Sequence, residues 1–290
     1  MIFKKKILKI LIVIFVLLLG INTVSAEGNF TDLQNTIDNN QNNVDLDKDY
    51  TFNNNVDTAY VDGVTVNYDN YVLDGKGYTI NGNNEARIFQ ITGENVTIKN
   101  VNLINGKTTN NGGAIYTQTN NLKIINTTFT NNVANFGGAI RANDVTVTGS
   151  NFIDNTVNQN GGAIFAAGNV TVIGSNFTDN TAQDRGGAIN ANNVTVIGSN
   201  FTGNTAQDGG AIYENNNVKV TGSNFTNNIA RRWGGAIIAL NVNVTGSNFT
   251  GNTAQEYVVQ YVQIMQMLLV LISQATPQHT GVVVQYMQVM

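Results

Sequence analysis

Short runs of β-prone residues alternate with polar, turn-forming residues along most of this chain. In residues 161–182, three such runs occupy positions 163–165, 170–173 and 176–178, and Gly, Asn, Ser and Asp separate them. These separating residues tolerate turns and left-handed backbone. Within the middle run the two valines point one way and the threonine between them the other, as in a strand with one buried face. The pattern therefore predicts three short strands in this unit.

The same unit recurs at a nearly constant interval, and this recurrence predicts the architecture. The tetrapeptide Gly-Gly-Ala-Ile begins at residues 112, 137, 161, 186, 209 and 234, and a Phe-x-x-Asn follows each copy. A repeat of this length indicates a solenoid. Three strands and three turns per repeat form one coil of a parallel β-helix, in which each strand pairs with its equivalent about 4.8 Å along the axis. We therefore predict an all-β, single-stranded solenoid of about 24 residues per coil.

Stacked coils bring identical repeat positions together, so the repeat also predicts the core. We expect four columns of like side chains: an isoleucine column, a valine column, a phenylalanine column and a column of Asn residues whose amides bond from coil to coil. Their members are Ile115, Ile140, Ile164, Ile189, Ile212 and Ile237; Val145, Val170, Val194, Val218 and Val242; Phe129, Phe152, Phe177, Phe201, Phe225 and Phe249; and Asn132, Asn155, Asn180, Asn204, Asn228 and Asn252.

Upstream of the regular repeats, the same strand–turn–strand pattern continues without Gly-Gly-Ala-Ile. We predict β-helix repeats over residues 61–256 and an N-terminal cap over residues 27–60. Solenoids need an atypical unit to close their ends. In the cap, Phe30, Leu33 and Ile37 share one face of a predicted helix.

The N-terminal segment, residues 1–26, has the pattern of a secretory signal peptide. Four lysines precede an apolar run, and Val24-Ser25-Ala26 forms a small-residue cleavage site. Without this segment the chain has 11 basic and 19 acidic residues, a net charge of −8. That sign argues against nucleic acid as a partner. In an exported chain, the ten Asn-x-Ser/Thr triplets are also candidate glycosylation sites.

Residues 257–290 differ from the rest of the chain. Asn is absent from position 253 onward, whereas four of the five Met and the single Pro and His lie there. A one-base shift of codons for Gly-Gly-Ala-Ile can read Val-Val-Gln-Tyr, which occurs at 258–261 and 283–286, in step with the repeat. We interpret this tail as the same repeat translated out of frame. The apolar run within it is interrupted by glutamines, so we predict no membrane span.

The pairing of Gly-Gly-Ala-Ile with Phe-x-x-Asn resembles the repeats of polymorphic outer-membrane proteins. Residues 1–255 are also similar to the adhesin-like surface proteins of methanogenic archaea, through Phe-Thr-Asp-Leu-Gln at 30–34, Leu-Asp-Gly-Lys-Gly at 73–77 and Ala-Arg-Ile-Phe-Gln-Ile-Thr-Gly at 86–93. The resemblance implies a right-handed β-helix of the pectate-lyase-like fold in a secreted, surface-displayed binding protein. From the sequence we predict no autotransporter barrel, immunoglobulin-like module or cell-wall anchor beside the repeats. Fold alone does not establish function.

Catalysis by a polysaccharide lyase or glycoside hydrolase is the main alternative to binding. It needs paired carboxylates, and we expect Asp154 to stack near Asp179, and Asp184 near Asp208, in adjacent coils. These positions are Asn, Thr or Gly in sister coils, which favours solvated turns, so we predict no catalytic residue. The segment Asp45-Leu-Asp-Lys-Asp49 resembles a calcium loop but lacks its Gly and terminal Glu. We therefore predict no metal and no cofactor.

One basic and aromatic cluster stands out as a candidate binding site. It consists of Arg231, Arg232 and Trp233, with Arg185 one position over and two coils below. A second candidate is a stripe after the glycine motif, formed by Tyr116, Phe165, Tyr213 and Ile238. We predict a non-enzymatic, exported adhesin-like protein that binds glycans or proteins on another cell. A structural component of the cell envelope is a third interpretation.

Overall fold

The computed structural model describes residues 27–255, in which parallel strands stack coil upon coil. Equivalent strands pair in register from one coil to the next, as in Phe129 with Phe152 and Phe152 with Phe177. The predicted all-β parallel β-helix is confirmed, and each coil spans one repeat of the sequence. The predicted signal peptide (1–26) and tail (257–290) lie outside the described residues.

Four classes of strand, named here after the side chain that each buries, make up the coils. The Ile strands are Val64–Val66, Phe89–Ile91, Ile115–Thr117, Ile140–Ala142, Ile164–Ala166 and Ile237–Ile238. The Val strands are Asn43–Asp45, Val72–Asp74, Thr97–Lys99, Leu122–Ile125, Val145–Thr148, Asn169–Ile173 and Asn241–Thr245. The Phe strands are Tyr50–Thr51, Thr79–Asn81, Asn102–Ile104, Thr128–Thr130, Asn151–Ile153, Asn176–Thr178, Asn200–Thr202, Asn224–Thr226 and Asn248–Thr250. The Ala strands are Val133–Ala134, Thr156–Val157, Thr181–Ala182, Thr205–Asp208, Ile229–Trp233 and Thr253–Ala254.

The strand count per coil differs from the predicted three. The short Ala strands form a sheet of their own, because their backbone groups also pair from coil to coil. In two coils the Ile and Val strands run together as the continuous strands Ile189–Ile197 and Ile212–Thr221. These two strands join all Ile and Val strands into one 15-stranded sheet.

The predicted apolar columns fill the interior of the coils. Ile140 pairs with Ile164, Val170 with Val194 and Phe177 with Phe201, as the repeat requires. The stacked phenylalanine rings lie 4.6–4.7 Å apart and within 5° of parallel. All six isoleucines of the column are at most 5% exposed. Burial of these columns is the main favourable contribution to folding.

The predicted asparagine column is also present, and it is buried. Asn180 accepts hydrogen bonds from the backbone N–H (3.1 Å) and the side-chain amide (2.9 Å) of Asn155. Its own amide donates to Asn204 Oδ1 (3.0 Å) and to the Phe152 carbonyl (2.9 Å). The column therefore satisfies backbone groups of the turn that follows each Phe strand.

The glycine pair has two separate geometric requirements. The first glycine of each pair has φ between +61° and +70°, a left-handed conformation that strains other residues. A Cβ on the second glycine would collide with the next coil, for example 2.2 Å from Gly138 to the Gly162 carbonyl oxygen. The pair thus makes a tight corner and allows neighbouring coils to approach closely.

A short helix covers the N-terminal end of the solenoid. The helix α1 (Phe30–Asp38) buries Phe30, Leu33 and Ile37, as predicted, and a 3-10 helix spans Thr58–Tyr60. Buried Asp57 accepts hydrogen bonds at the start of α1 from the N–H groups of Phe30 and Thr31. Coil stacking already begins at Asn43, within the segment predicted as the cap.

Candidate binding face

The corner made by each glycine pair is flanked by two columns of outward-facing side chains, which together we name the corner face. The pre-glycine column holds the residue before each pair, and the post-motif column holds the residue after each Gly-Gly-Ala-Ile. Their members are Asn111, Phe136, Asn160, Arg185, Asp208 and Trp233 in the first column, and Tyr116, Arg141, Phe165, Asn190, Tyr213 and Ile238 in the second.

Arginines lie over aromatic rings along this face. The guanidinium carbon is 5.3 Å from the ring centroid for Arg87 and Tyr116, 5.1 Å for Arg141 and Phe165, and 4.8 Å for Arg185 and Tyr213. The Phe136 and Phe165 rings also contact each other edge to face at 5.3 Å. Such contacts hold planar guanidinium groups in place. Arg87 is buried and its Nε donates to the Asn111 and Gly112 carbonyls, so it serves the fold and not a ligand.

Trp233 and Arg232 form the closest of these contacts. The guanidinium carbon of Arg232 lies 4.1 Å from the Trp233 ring centroid, and Trp233 is 42% exposed. Arg232 also donates from Nε to Asp208 Oδ1 at 2.9 Å. Arg231 is exposed and lies outside this stack. Of the three residues predicted as a binding site, Arg232 and Trp233 therefore contact each other, and Arg231 takes no part in that contact.

The register corrects the expectation for Asp184 and Asp208. Asp208 pairs with Arg185 and Trp233 in the pre-glycine column, and not with Asp184. The reason is that the step from Gly186 to Gly209 is shorter than the other steps, so Thr181 pairs with Thr205 at an interval of 24 residues but Arg185 pairs with Asp208 at an interval of 23. Asp208 is only 1% exposed and bonds to Arg232, whereas Asp184 faces Arg185 at 3.8 Å. These two carboxylates form no pair, and Arg185 lies in the column of Trp233 itself.

Asp154 and Asp179 lie in equivalent exposed turns, directly before the buried asparagine column. Both have φ of +54°, a left-handed conformation that Asn, Asp and Gly adopt most readily. The Asp179 Oδ1 lies against Gly203 of the following coil, on the side away from Asp154. The backbone conformation thus accounts for both aspartates, and no basic group accompanies them in these turns.

The carboxylates of the calcium-loop-like segment bind different protein groups. Asp45 pairs with Lys76 at 3.1 Å, the Tyr50 hydroxyl donates to Asp47 at 3.4 Å, and the Thr79 N–H donates to Asp49 at 2.7 Å. Within residues 27–255, no group of three or more His, Cys, Asp or Glu side chains converges as a metal site would need. Nearby Asp74 is buried, which by itself would raise its pKa. The Asn100 amide and the Lys76 and Lys99 groups outweigh this and hold the pKa of Asp74 well below its ordinary value.

Glu214 is a functional-site feature that the sequence reasoning missed. It pairs with Ala191 in an inward-facing column that holds alanine at Ala142, Ala166 and Ala191, and it is only 2% exposed. Burial raises the pKa of Glu214 from 4.5 to about 7, although backbone N–H groups of Asn216 and Asn217 lower it in part. A carboxylate in place of an otherwise regular alanine was the available signal in the sequence.

Comparison with known proteins agrees with the repeat. The Chlamydia polymorphic membrane protein repeat matches residues 126–143, 174–192 and 198–213, which lie within the coils described above. Neither curated proteins nor solved structures gave a match. Among residues 27–255, no helix is long and apolar enough to cross a membrane.

Proposed function

We propose that this chain is an exported, non-catalytic, adhesin-like protein whose β-helix presents the corner face to glycans or proteins on the surface of another cell. The observation that carries the proposal is the half-exposed Trp233 under the Arg232 guanidinium, at the end of a row of arginine–aromatic contacts. Trp and Arg are the side chains most often responsible for binding energy at interfaces.

The repeat supports a place at the cell surface. Three stretches match the repeat of Chlamydia polymorphic membrane proteins, and residues 1–26 have the pattern of a signal peptide. The resemblance to adhesin-like proteins of methanogenic archaea, and to the pectate-lyase-like fold, belongs to this same proposal. An elongated solenoid provides a long surface of regular shape, which suits multivalent attachment.

The carboxylates support a binding role over catalysis. Retaining and inverting glycosidases need two carboxyl groups that face one bond of the substrate. Asp208 is occupied by Arg232, and Asp179 leans away from Asp154. Glu214 has a raised pKa, as a general acid would, but it lies inside the coil among alanines.

The test replaces Trp233 with asparagine, because Asn111 and Asn160 show that asparagine fits this position of the coil. Attachment of the purified full chain to cells and to immobilised polysaccharides is measured for wild type and Trp233→Asn. We expect the variant to bind about tenfold more weakly, the effect of losing one well-placed aromatic contact.

Two controls make this test decisive. Ile197→Thr removes an exposed apolar side chain from the Val-strand face, where Thr221 occupies the equivalent position, and should bind like wild type. Equal binding by Trp233→Asn and wild type would refute the corner face as the binding surface. Release of new chain ends from a polysaccharide, lost in Asp154→Asn, would show an enzyme instead.

A further inference from the structure

The corner face has a period of two coils, which the sequence repeat of one coil does not require. In the post-motif column, aromatic rings occur in alternate coils, at Tyr116, Phe165 and Tyr213. In the pre-glycine column, the large planar side chains Phe136, Arg185 and Trp233 also alternate with small polar residues. The two series are offset by one coil.

This offset produces ridges across the corner. Phe136 packs against Phe165 of the next coil, and Arg185 packs over Tyr213 of the next coil. Arg87 also lies over Tyr116, although Arg87 is buried and stands outside the pre-glycine column. Since coils are about 4.8 Å apart, the ridges recur about every 9.6 Å along the axis. Asn111, Asn160 and Asp208 lie between them, so the face alternates planar ridges with polar notches.

Two buried polar atoms, one in a notch and one on the adjoining ridge, have no hydrogen-bond partner among the described residues. They are the Oδ1 atom of Asn160, an acceptor, and the Nε atom of Arg185, a donor. The two residues are neighbours in the pre-glycine column, since the Gly161 N–H donates to the Arg185 carbonyl. Both residues are partly exposed, 43% for the Arg185 side chain, so the two atoms belong to side chains that reach the surface. Buried polar groups without partners are unusual and need an explanation.

Arg185 Nε lies 3.8 Å from Asp184 Oδ2, too far for a hydrogen bond, so a donor and an acceptor without hydrogen bonds lie in adjacent coils and indicate the chemistry of the ligand. A hydroxyl group can accept from Arg185 Nε–H and donate to Asn160 Oδ1 at once. A proline-rich peptide has a similar repeat, about 9.3 Å per polyproline II turn, but it offers carbonyl acceptors and few N–H donors. A linear glycan offers hydroxyls on every ring, and its disaccharide unit is comparable in length to the ridge spacing.

We propose that a linear glycan lies lengthwise along the corner face, parallel to the solenoid axis, with one disaccharide for every two coils. Its hydroxyls bond in the notch to Asn160 and Arg185, and alternate sugar rings rest on the ridges at Tyr116, Phe165 and Tyr213. This inference rests on the proposed function and adds to it the ligand class, the direction of the chain and its register.

Binding by chain length tests the register. The full chain is titrated with labelled β-1,4-glucose, β-1,4-N-acetylglucosamine and α-1,4-galacturonate oligomers, from disaccharide to octasaccharide. For the series that binds, we expect Kd to fall about tenfold with each added disaccharide, because each reaches one more ridge. The gain should stop once the three ridges are filled, at the hexasaccharide.

Variants taken from sister coils test the residues without disturbing the fold. Asn190 occupies the same column as Phe165, and Asn160 the same column as Arg185, so Phe165→Asn and Arg185→Asn are compatible with the coil. Each should weaken hexasaccharide binding about tenfold. Phe165→Tyr should retain binding, because Tyr116 and Tyr213 fill that position elsewhere. Ile173→Thr, on the Val-strand face where Thr148 is equivalent, is the matched control.

The outcomes separate this inference from the proposed function. If disaccharide and octasaccharide bind equally, the lengthwise register is wrong, while attachment that depends on Trp233 still stands. If a polyproline peptide binds and all three oligosaccharide series fail, the ligand class is wrong. If Trp233→Asn attaches to cells like wild type and no oligosaccharide binds, both proposals are refuted.

Discussion

Two columns of asparagine run side by side along this solenoid, and they differ mainly in burial. The inner column, which includes Asn180 and Asn204, is fully buried and follows each Phe strand. The outer column, which includes Asn176 and Asn200, lies on the solvent side of the Phe strands. In both, side-chain amides donate to the preceding or following asparagine, at 3.0 Å from Asn180 to Asn204 and 2.9 Å from Asn200 to Asn176.

The two columns differ in whether water can replace the hydrogen bonds that are lost when one asparagine is substituted. An outer asparagine exchanges one hydrogen bond for another with water, so its bond contributes little net stability. An inner asparagine also holds backbone groups, such as the Asn155 N–H and the Phe152 carbonyl, that water does not reach. The same residue type at the same spacing is therefore structural in one column and nearly neutral in the other.

The largest effect is expected from Asn180→Ala in the inner column. The change leaves the buried Asn155 N–H without a partner and removes one hydrogen bond each from the Asn155 amide, the Asn204 Oδ1 and the Phe152 carbonyl. The Asn204 Oδ1 keeps the backbone N–H of residue 180, and the Asn155 amide keeps the Phe129 carbonyl. Each buried N–H donor left without a partner costs about 1–3 kcal/mol, and two are left here, the Asn155 backbone N–H and one N–H of its amide, so we expect a loss of about 2–4 kcal/mol. Urea denaturation followed by circular dichroism measures it. A loss below about 1 kcal/mol would remove the distinction between the columns.

Glu214→Ala should have the next largest effect, and it should stabilise the protein. Glu214 is a buried polar group without a polar neighbour at the equivalent position of the preceding coil, where Ala191 lies. Its pKa is raised from 4.5 to about 7, so the native state holds a proton that the unfolded state loses. Stability is therefore full below pH 4.5 and falls as the pH rises to about 7.

We expect Glu214→Ala to gain about 2 kcal/mol above pH 7, estimated from the size of this pKa shift, and to lose the pH dependence. The measurement is the free energy of unfolding of both proteins across this pH range. Glu214→Gln is the control, since it keeps the shape of the side chain without its titration. A wild-type stability that does not change between pH 4.5 and 7 would contradict the assignment of the buried carboxyl.

Ser175→Ala tests a second inner column that makes fewer hydrogen bonds. The Ser175 Oγ accepts from the Ser150 N–H at 3.1 Å and donates to the Ile173 carbonyl at 2.9 Å. The Ile173 carbonyl also accepts from the Gly149 N–H, so only the Ser150 N–H loses its partner. We expect a loss of about 1–2 kcal/mol in the same urea experiment. A loss as large as that of Asn180→Ala would show that the number of partners does not set the effect.

The smallest effect is expected from Asn200→Ala in the outer column. Asn200 is exposed and bonds to Asn176 and Asn224 at 2.9 and 2.8 Å. Water replaces both bonds, so we expect a change within about 0.5 kcal/mol. This variant is also the matched control for Asn180→Ala, because it removes the same side chain type from an exposed position on a Phe strand.

Much of this fold could be predicted, because a repeat of nearly constant length places equivalent residues of successive coils over one another. The constant period places Phe177 on Phe201 and Asn180 on Asn204 whatever the coil looks like. The corner face could be predicted only in part. Tyr116, Phe165 and Tyr213 were candidates from their common position, but Phe165 meets Phe136 and Tyr213 meets Arg185, which lie at a different position of the repeat in a different coil.

The sequence by itself determined the period, the four like-residue columns and the glycines at each corner, because translation along the axis superposes identical positions. Only the tertiary structure decided which unlike positions meet. The bend at the glycine pair brings the pre-glycine column into contact with the post-motif column. Because one repeat is shortened, Asp208 pairs with Arg185 and Trp233 and not with Asp184. Such contacts depend on local turn geometry and strand register, which hydrophobic periodicity does not encode.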